Sequence, residues 1–163
     1  MTVEIPNLWP VKEFKLDVIS PLAILRAQAT RLQEMTQGIL EAQVTSSFDD
    51  KEDKVSHQFN IVAPALGDYS HRILTAIHAK NMFYPVTVYT IAYLHEYSKD
   101  GVAAYSQEQW IDLLRKIFAS NEVIAVIQSL IARSNDPTGI HVSGENTVGQ
   151  NTATNEADKL AGN

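Results

Sequence analysis

Five histidines are the side chains in this sequence best suited to chemistry, because imidazole changes its charge near neutral pH and binds metal ions. His71 and His78 lie seven positions apart in the stretch YSHRILTAIHA. On a helix, residues seven apart share a face and could bind one metal ion, whereas an odd separation on a strand points them to opposite faces. The backbone conformation of this stretch therefore decides whether the two histidines can form a metal site.

Alternating apolar and polar residues predict strands around this stretch. LEAQVTSSF and VSHQFNIVA both have the period of two that is typical of a half-buried strand. YSHRILTAIHA follows the turn residues PALGD and precedes a segment rich in Val, Thr, Tyr and Ile, which favour strands. We therefore predict four antiparallel strands, at about 39–48, 55–63, 69–79 and 83–96. The strand assignment removes the metal pair, and neither a metal nor another cofactor is expected.

Helix signals flank the predicted strands. Ser20 and Pro21 suit the first positions of a helix that Gly38 would end. Ser106 and Gln109 have the spacing of a capping box at the start of a second helix, and a third helix follows after a short break. The predicted fold class is α+β, with an N-terminal helix, a four-stranded antiparallel meander, two C-terminal helices packed on one sheet face, and a disordered tail.

The composition along the chain predicts three parts. Residues 1–19 are expected to form an extended N-terminal segment, which could add an edge strand, and residues 20–135 a single α+β domain. Residues 136–163 are rich in Gly, Asn and Thr and have almost no large apolar side chains. Such a segment buries too little apolar surface to offset its ordering entropy, which predicts a disordered polar tail or linker.

Composition and charge argue against several functional classes. The chain has no cysteine, which excludes a disulfide scaffold, a thiol nucleophile and an iron–sulfur cluster. Its net charge of −6, with scattered lysines and arginines, argues against nucleic-acid binding. The first residues lack the pattern of a signal peptide, and no apolar stretch approaches the roughly 18 residues of a membrane span. We therefore expect a cytoplasmic protein without a membrane partner.

A small polar row is predicted on the apolar face of the sheet. Tight hairpins would align Ser46, His57, Thr75 and Thr87, with His71 in another row of the same face. Such a group could bind a small molecule or carry out general acid–base chemistry. The candidate pocket residues are His57, His71, Thr75 and Thr87. The sequence contains no phosphate-binding loop, no nucleophile elbow and no calcium loop, so no catalytic residue is assigned.

The last predicted strand presents apolar side chains on the sheet face that would normally meet water. Tyrosines recur at every fourth position on its other side, and tyrosine is enriched in protein interfaces. The candidate interface residues are Tyr84, Val86, Val88, Leu94, Tyr93 and Tyr97.

Two functions therefore compete. The first is a non-enzymatic interaction module, of adaptor, accessory or self-associating type, that binds a protein partner or another copy of itself through the last strand and the apolar second face. The alternative is a small-molecule-binding protein or small enzyme with a pocket near the histidines and threonines of the polar row.

Overall fold

Three helices pack on one face of an antiparallel sheet in the computed structural model, which describes residues 17–92 and 100–136. The helices are α1 (Pro21–Met35), α2 (Gln107–Phe118) and α3 (Asn121–Ser134). The strands are β1 (Glu41–Asp49), β2 (Lys54–Ala63), β3 (Tyr69–Ala79), β4 (Val86–Thr90) and β5 (Val102–Ala104), and a 3₁₀ turn (Pro64–Leu66) joins β2 to β3. The strands follow one another in chain order across the sheet, and each pairs antiparallel to the next.

Serine caps begin all three described helices. The hydroxyl oxygens of Ser20, Ser106 and Ser120 each accept a hydrogen bond from the backbone N–H three residues later, at 3.1, 3.2 and 3.3 Å. This bond satisfies one of the free donors of the first helical turn. After α1 the backbone turns left-handed at Gln37 and Gly38, as the predicted helix stop requires.

One hydrophobic core lies between the helices and the sheet. The apolar stripe of α2, at the three-and-four spacing of a half-buried helix, includes the fully buried Trp110 and Ile117. Leu25 of α1 and Val123 of α3 meet the same core. We call the sheet face under the helices the covered face. The opposite, open face carries mainly polar side chains on β1 and β2, as is common where an antiparallel sheet meets water.

A bulge in β3 decides which side chains point toward the helices. Phe59 of β2 pairs with Leu74, whereas Asn60 pairs with Arg72, so Ile73 is an extra residue in β3. One inserted residue in a structure of period two moves every later side chain to the other face. From Leu74 onward, each side chain of β3, and each side chain of β4 paired with it, therefore points to the sheet face opposite to the one it would have without the bulge.

The predicted α+β class and its antiparallel meander are confirmed, with differences in the strands. The sheet has five described strands instead of four, because residues 102–104 add a short strand that the sequence reading missed. Of the last predicted strand, 83–96, the described residues form a strand over Val86–Thr90, and residues 93–96 lie outside the described residues. No strand occurs in residues 17–20, and residues 1–16 and 137–163, including nearly all of the predicted tail, lie outside the described residues.

A helix that crosses a bilayer needs about 20 consecutive, mostly apolar residues. None of the helices in residues 17–92 and 100–136 is both long enough and apolar enough to cross a membrane.

Candidate functional site

Three side chains from neighbouring strands form a continuous hydrogen-bonded group, which we call the triad: Ser46 of β1, His57 of β2 and His78 of β3. The Ser46 Oγ lies 2.7 Å from His57 Nδ1. The His57 Nε2 lies 3.0 Å from His78 Nε2. The His78 Nδ1 lies 2.7 Å from the carbonyl oxygen of Ala79 and 3.0 Å from that of Met82. The triad thus links an exposed hydroxyl to two backbone carbonyls through two imidazoles.

The sheet register brings these three residues together. Ser46 and His57 are direct partners in the β1–β2 ladder, so their side chains stand side by side on the covered face. His78 pairs with Val55, two residues before His57, and reaches His57 diagonally. Without the extra residue at Ile73, the alternation of β3 would turn His78 to the open face. The bulge is therefore what places the second imidazole against the first.

With both imidazoles uncharged, the hydrogen-bond partners fix the direction of every bond in the triad. Carbonyl oxygens only accept, so the His78 Nδ1 must carry a proton, and the Nε2 of a neutral His78 is then an acceptor. His57 consequently donates its Nε2–H to His78, which leaves its own Nδ1 unprotonated. This nitrogen accepts the hydroxyl proton of Ser46. All three bonds run from the surface serine toward the backbone carbonyls.

Burial keeps the His57 ring uncharged at neutral pH. His57 and His78 are 3% and 6% exposed. Burial above all, followed by the charges of His78 and Arg26, lowers the pKa of His57 from 6.5 to about 4. Ser46 itself is exposed. A reachable hydroxyl, a base behind it and a third group that orients the base are the arrangement that activates a serine nucleophile.

Hydrogen-bond donors and a cation lie on the elements next to Ser46. β1 is the edge strand of the sheet, and the outer side of an edge strand carries unpaired backbone N–H and C=O groups. Arg26 on α1 lies near enough to His57 for its charge to affect the pKa of that ring. Hydrogen-bond donors and a cation at such positions can stabilise an oxygen that becomes negative during attack on a carbonyl.

Exposed apolar side chains border the triad on the side of the β1–β2 turn. Phe48 is two residues beyond Ser46 and therefore on the same face of β1. Phe83 places its ring edge-on to the His78 ring, with centroids 6.0 Å apart. We call Phe48, Met82 and Phe83 the apolar patch; their side chains are 70%, 54% and 43% exposed.

Among the predicted pocket residues, His57 lies in the triad and the other three lie elsewhere. Thr75 and Thr87 are on the open face, because the bulge shifts their strands, so the predicted polar row is wrong beyond His57. His71 pairs with Ile61 and lines a separate cleft of about 280 Å³ beside Arg133 of α3.

The expectation that His71 and His78 point to opposite faces is wrong, because both side chains are on the covered face. They still cannot share a metal ion, since their β2 partners Ile61 and Val55 are six residues apart, or about 20 Å along a strand. The described residues contain no group of three or more His, Cys, Asp or Glu side chains that could hold a metal ion.

The predicted interface residues do not form an apolar outer face. Val86 and Val88 are fully buried on the covered face, because β4 follows the register shift of β3. Tyr84 is partly buried, and its hydroxyl donates to the carbonyl oxygen of Ile19 at 3.1 Å. The other three interface candidates, Tyr93, Leu94 and Tyr97, lie outside the described residues.

Two members of the triad were not among the predicted site residues. Ser46 was placed in the polar row but was not named as a candidate, and His78 was assigned to the wrong face. The available signal was the adjacent apolar pair Ile73 and Leu74, which interrupts the alternation of β3. Both side chains are fully buried, as an extra residue in the strand allows.

Comparisons of the chain with protein-family models, with curated proteins and with solved structures gave no match. The chemistry of the triad is therefore the starting point for a function.

Proposed function

We propose that the chain is a small acyl-transfer enzyme of the esterase type, with Ser46 as its nucleophile, His57 as its general base and His78 as the residue that positions His57. The observation that carries this proposal is the 2.7 Å contact between the Ser46 hydroxyl and the Nδ1 of His57. It favours the alternative of the two functions expected from the sequence.

The proposed reaction has two balanced steps. The Ser46 Oγ bonds to the ester carbonyl carbon while its proton moves to His57 Nδ1. The bond to the alcohol then breaks, and the same proton leaves with the alcohol. Water, deprotonated by His57, attacks the acyl-serine in the second step and restores the free hydroxyl while the acid is released. Arg26 and the outer N–H groups of β1 stabilise the negative carbonyl oxygen in both steps.

The low pKa of His57 limits the substrates. A base with a pKa near 4 takes up a proton less readily than a base with a pKa near the working pH. The expected substrates are therefore esters with good leaving groups rather than amides, because a weak base activates the serine poorly and an amide requires a stronger nucleophile.

Labelling with a fluorophosphonate tests the proposal. This reagent forms a covalent bond to an activated serine, and intact mass spectrometry counts the labels. We expect one label on the natural chain and none on Ser46→Ala. Ser47→Ala is the matched control, because Ser47 is the next residue and faces the open side of the same strand. Equal labelling of Ser46→Ala and the natural chain would refute the proposal.

A second candidate function is strand-to-strand association at the outer edge of β1. This edge offers nine residues without a bulge in their pairing to β2, and residues 42–48 include no Pro, Lys or Arg. Proteins usually protect an edge strand from pairing with a bulge, a proline or a charged side chain such as lysine, and residues 42–48 have none of these. The association proposed from the sequence thus moves from the buried valines of β4 to this edge.

Light scattering on the full chain tests the second candidate. We expect a dimer that Thr45→Lys converts to a monomer, because a lysine on an edge strand opposes pairing. Ser70→Lys is the control, since it adds the same charge to the open face of the interior strand β3. A monomeric natural chain at high concentration would exclude self-association.

A further inference from the structure

The apolar patch lies next to the nucleophile. Phe48, Val55 and His78 form one row across three strands, and Ser46 and His57 stand in the adjacent row. Residues two apart on a strand are separated by about 7 Å. A group bound to the Ser46 oxygen would thus meet the ring of Phe48 within two or three carbon–carbon bonds.

The same segment holds both the patch and the triad. The Met82 carbonyl oxygen accepts a hydrogen bond from His78 Nδ1, while the neighbouring Phe83 ring packs edge-on to the His78 ring. The Met82 and Phe83 side chains nevertheless remain 54% and 43% exposed. These contacts with His78 hold the Met82–Phe83 part of the patch in place, and a fixed surface binds with less ordering cost than a mobile one.

The charges near the patch disfavour an anionic ligand. The β1–β2 turn beside Phe48 carries four carboxylates, at Asp49, Asp50, Glu52 and Asp53, and the three lysines nearby are Lys51, Lys54 and Lys80. The Lys80 Nζ lies 2.6 Å from Asp50 and 3.8 Å from Asp53, so its charge is already used by this turn. A ligand that reaches the patch past this turn is favoured if it is uncharged.

We infer that the apolar patch binds the acyl chain of an uncharged ester, so that chain length determines selectivity at Ser46. This inference rests on the proposed function, because it names the substrate class of the same site. A fully buried methylene contributes about 0.8 kcal/mol, or about a fourfold gain in affinity. Since the patch is an open surface, partial burial of four methylenes predicts a gain of at least about tenfold.

The test compares kcat/KM for p-nitrophenyl acetate and p-nitrophenyl hexanoate, each corrected for the uncatalysed rate. We expect the hexanoate to react at least about tenfold faster in the natural chain. Phe48→Ala should reduce this ratio below about threefold and leave the acetate rate within about twofold, because that acyl group is too short to reach the ring. Tyr105→Ala is the control, since Tyr105 is also 70% exposed but follows β5 at the other edge of the sheet.

The outcomes separate this inference from the proposed function. Hydrolysis that depends on Ser46 but shows no preference for the hexanoate would overturn the inference and leave the esterase proposal standing. If neither ester reacts in a Ser46-dependent way, calorimetric titration with the unreactive N-methylhexanamide and N-methylacetamide decides. Preferential binding of the longer amide, lost in Phe48→Ala, would support the patch as an acyl site, and equal binding would overturn it.

Discussion

Acidification should destabilise the fold through His57. In the folded chain, burial above all, followed by the charges of His78 and Arg26, lowers the pKa of this ring from 6.5 to about 4. Between these two pH values the unfolded chain binds a proton that the folded chain does not, so the free energy of unfolding falls as the pH is lowered. The stabilising contribution of the neutral ring is therefore complete above pH 6.5 and is lost as the pH falls toward 4.

The size of the effect follows from the same two values. Each pH unit between 6.5 and about 4 corresponds to about 1.4 kcal/mol, which gives a loss of about 3 kcal/mol over the whole interval. The free energy of unfolding of a typical domain is about 5–15 kcal/mol, so this loss is a large part of it. The unfolding midpoint in urea should consequently drop steeply between these pH values.

The assay is urea denaturation at pH 7.5, 6, 5 and 4 for the natural chain, His57→Gln and His71→Gln. Glutamine keeps a hydrogen-bonding side chain at position 57 but does not titrate. The free energy of unfolding of His57→Gln should therefore fall by about 3 kcal/mol less over this range than that of the natural chain. His71→Gln is the control, since His71 lies outside the triad, and the contribution of the carboxylates is common to all three chains. Parallel curves for the natural chain and His57→Gln would refute the pKa argument and the burial on which it rests.

Two further predictions concern single substitutions. His78→Phe leaves the buried Nε2–H of His57 without an acceptor. It should destabilise the fold by about 1–3 kcal/mol, measured by urea denaturation, and slow fluorophosphonate labelling of Ser46 at least about tenfold. Unchanged labelling kinetics would exclude a positioning role for His78. Gly101→Ala should destabilise by at least about 1 kcal/mol, because this residue has a φ of +80° and its Cβ would lie 2.9 Å from the Val88 carbonyl oxygen. Gly67→Ala, at a φ of +68° with open space around it, should cost less in a thermal melt.

The helices were predictable because their signals are local. Ser20 and Ser106 cap the helices whose apolar stripes follow them in the sequence. The register of β1 against β2 was also predictable, as the charged turn after Phe48 sets which residues face each other. The predicted alignment of Ser46 with His57 is found in the structure.

The faces of β3 and β4 were not predictable from alternation. Ile73 and Leu74 are both apolar and adjacent, so either could begin the inward-facing series, and the choice depends on packing against the helices. Because the period of a strand is two, this one ambiguity reverses the predicted faces. The prediction therefore places Thr75 and Thr87 on the covered face and Val86 and Val88 on the open face, the opposite of what the structure shows. The same ambiguity concealed the contact between the two histidines.

The one-way direction of the triad limits how far a proton can travel. A proton that His57 takes from Ser46 can move one step further, if the Nε2 proton of His57 crosses the 3.0 Å gap to His78. It stops there, because the carbonyl oxygens of Ala79 and Met82 beyond His78 have no proton to pass on. Under the proposed mechanism, the two imidazoles can therefore hold only a single proton, which must return to the surface by the path on which it entered, through the Ser46 hydroxyl.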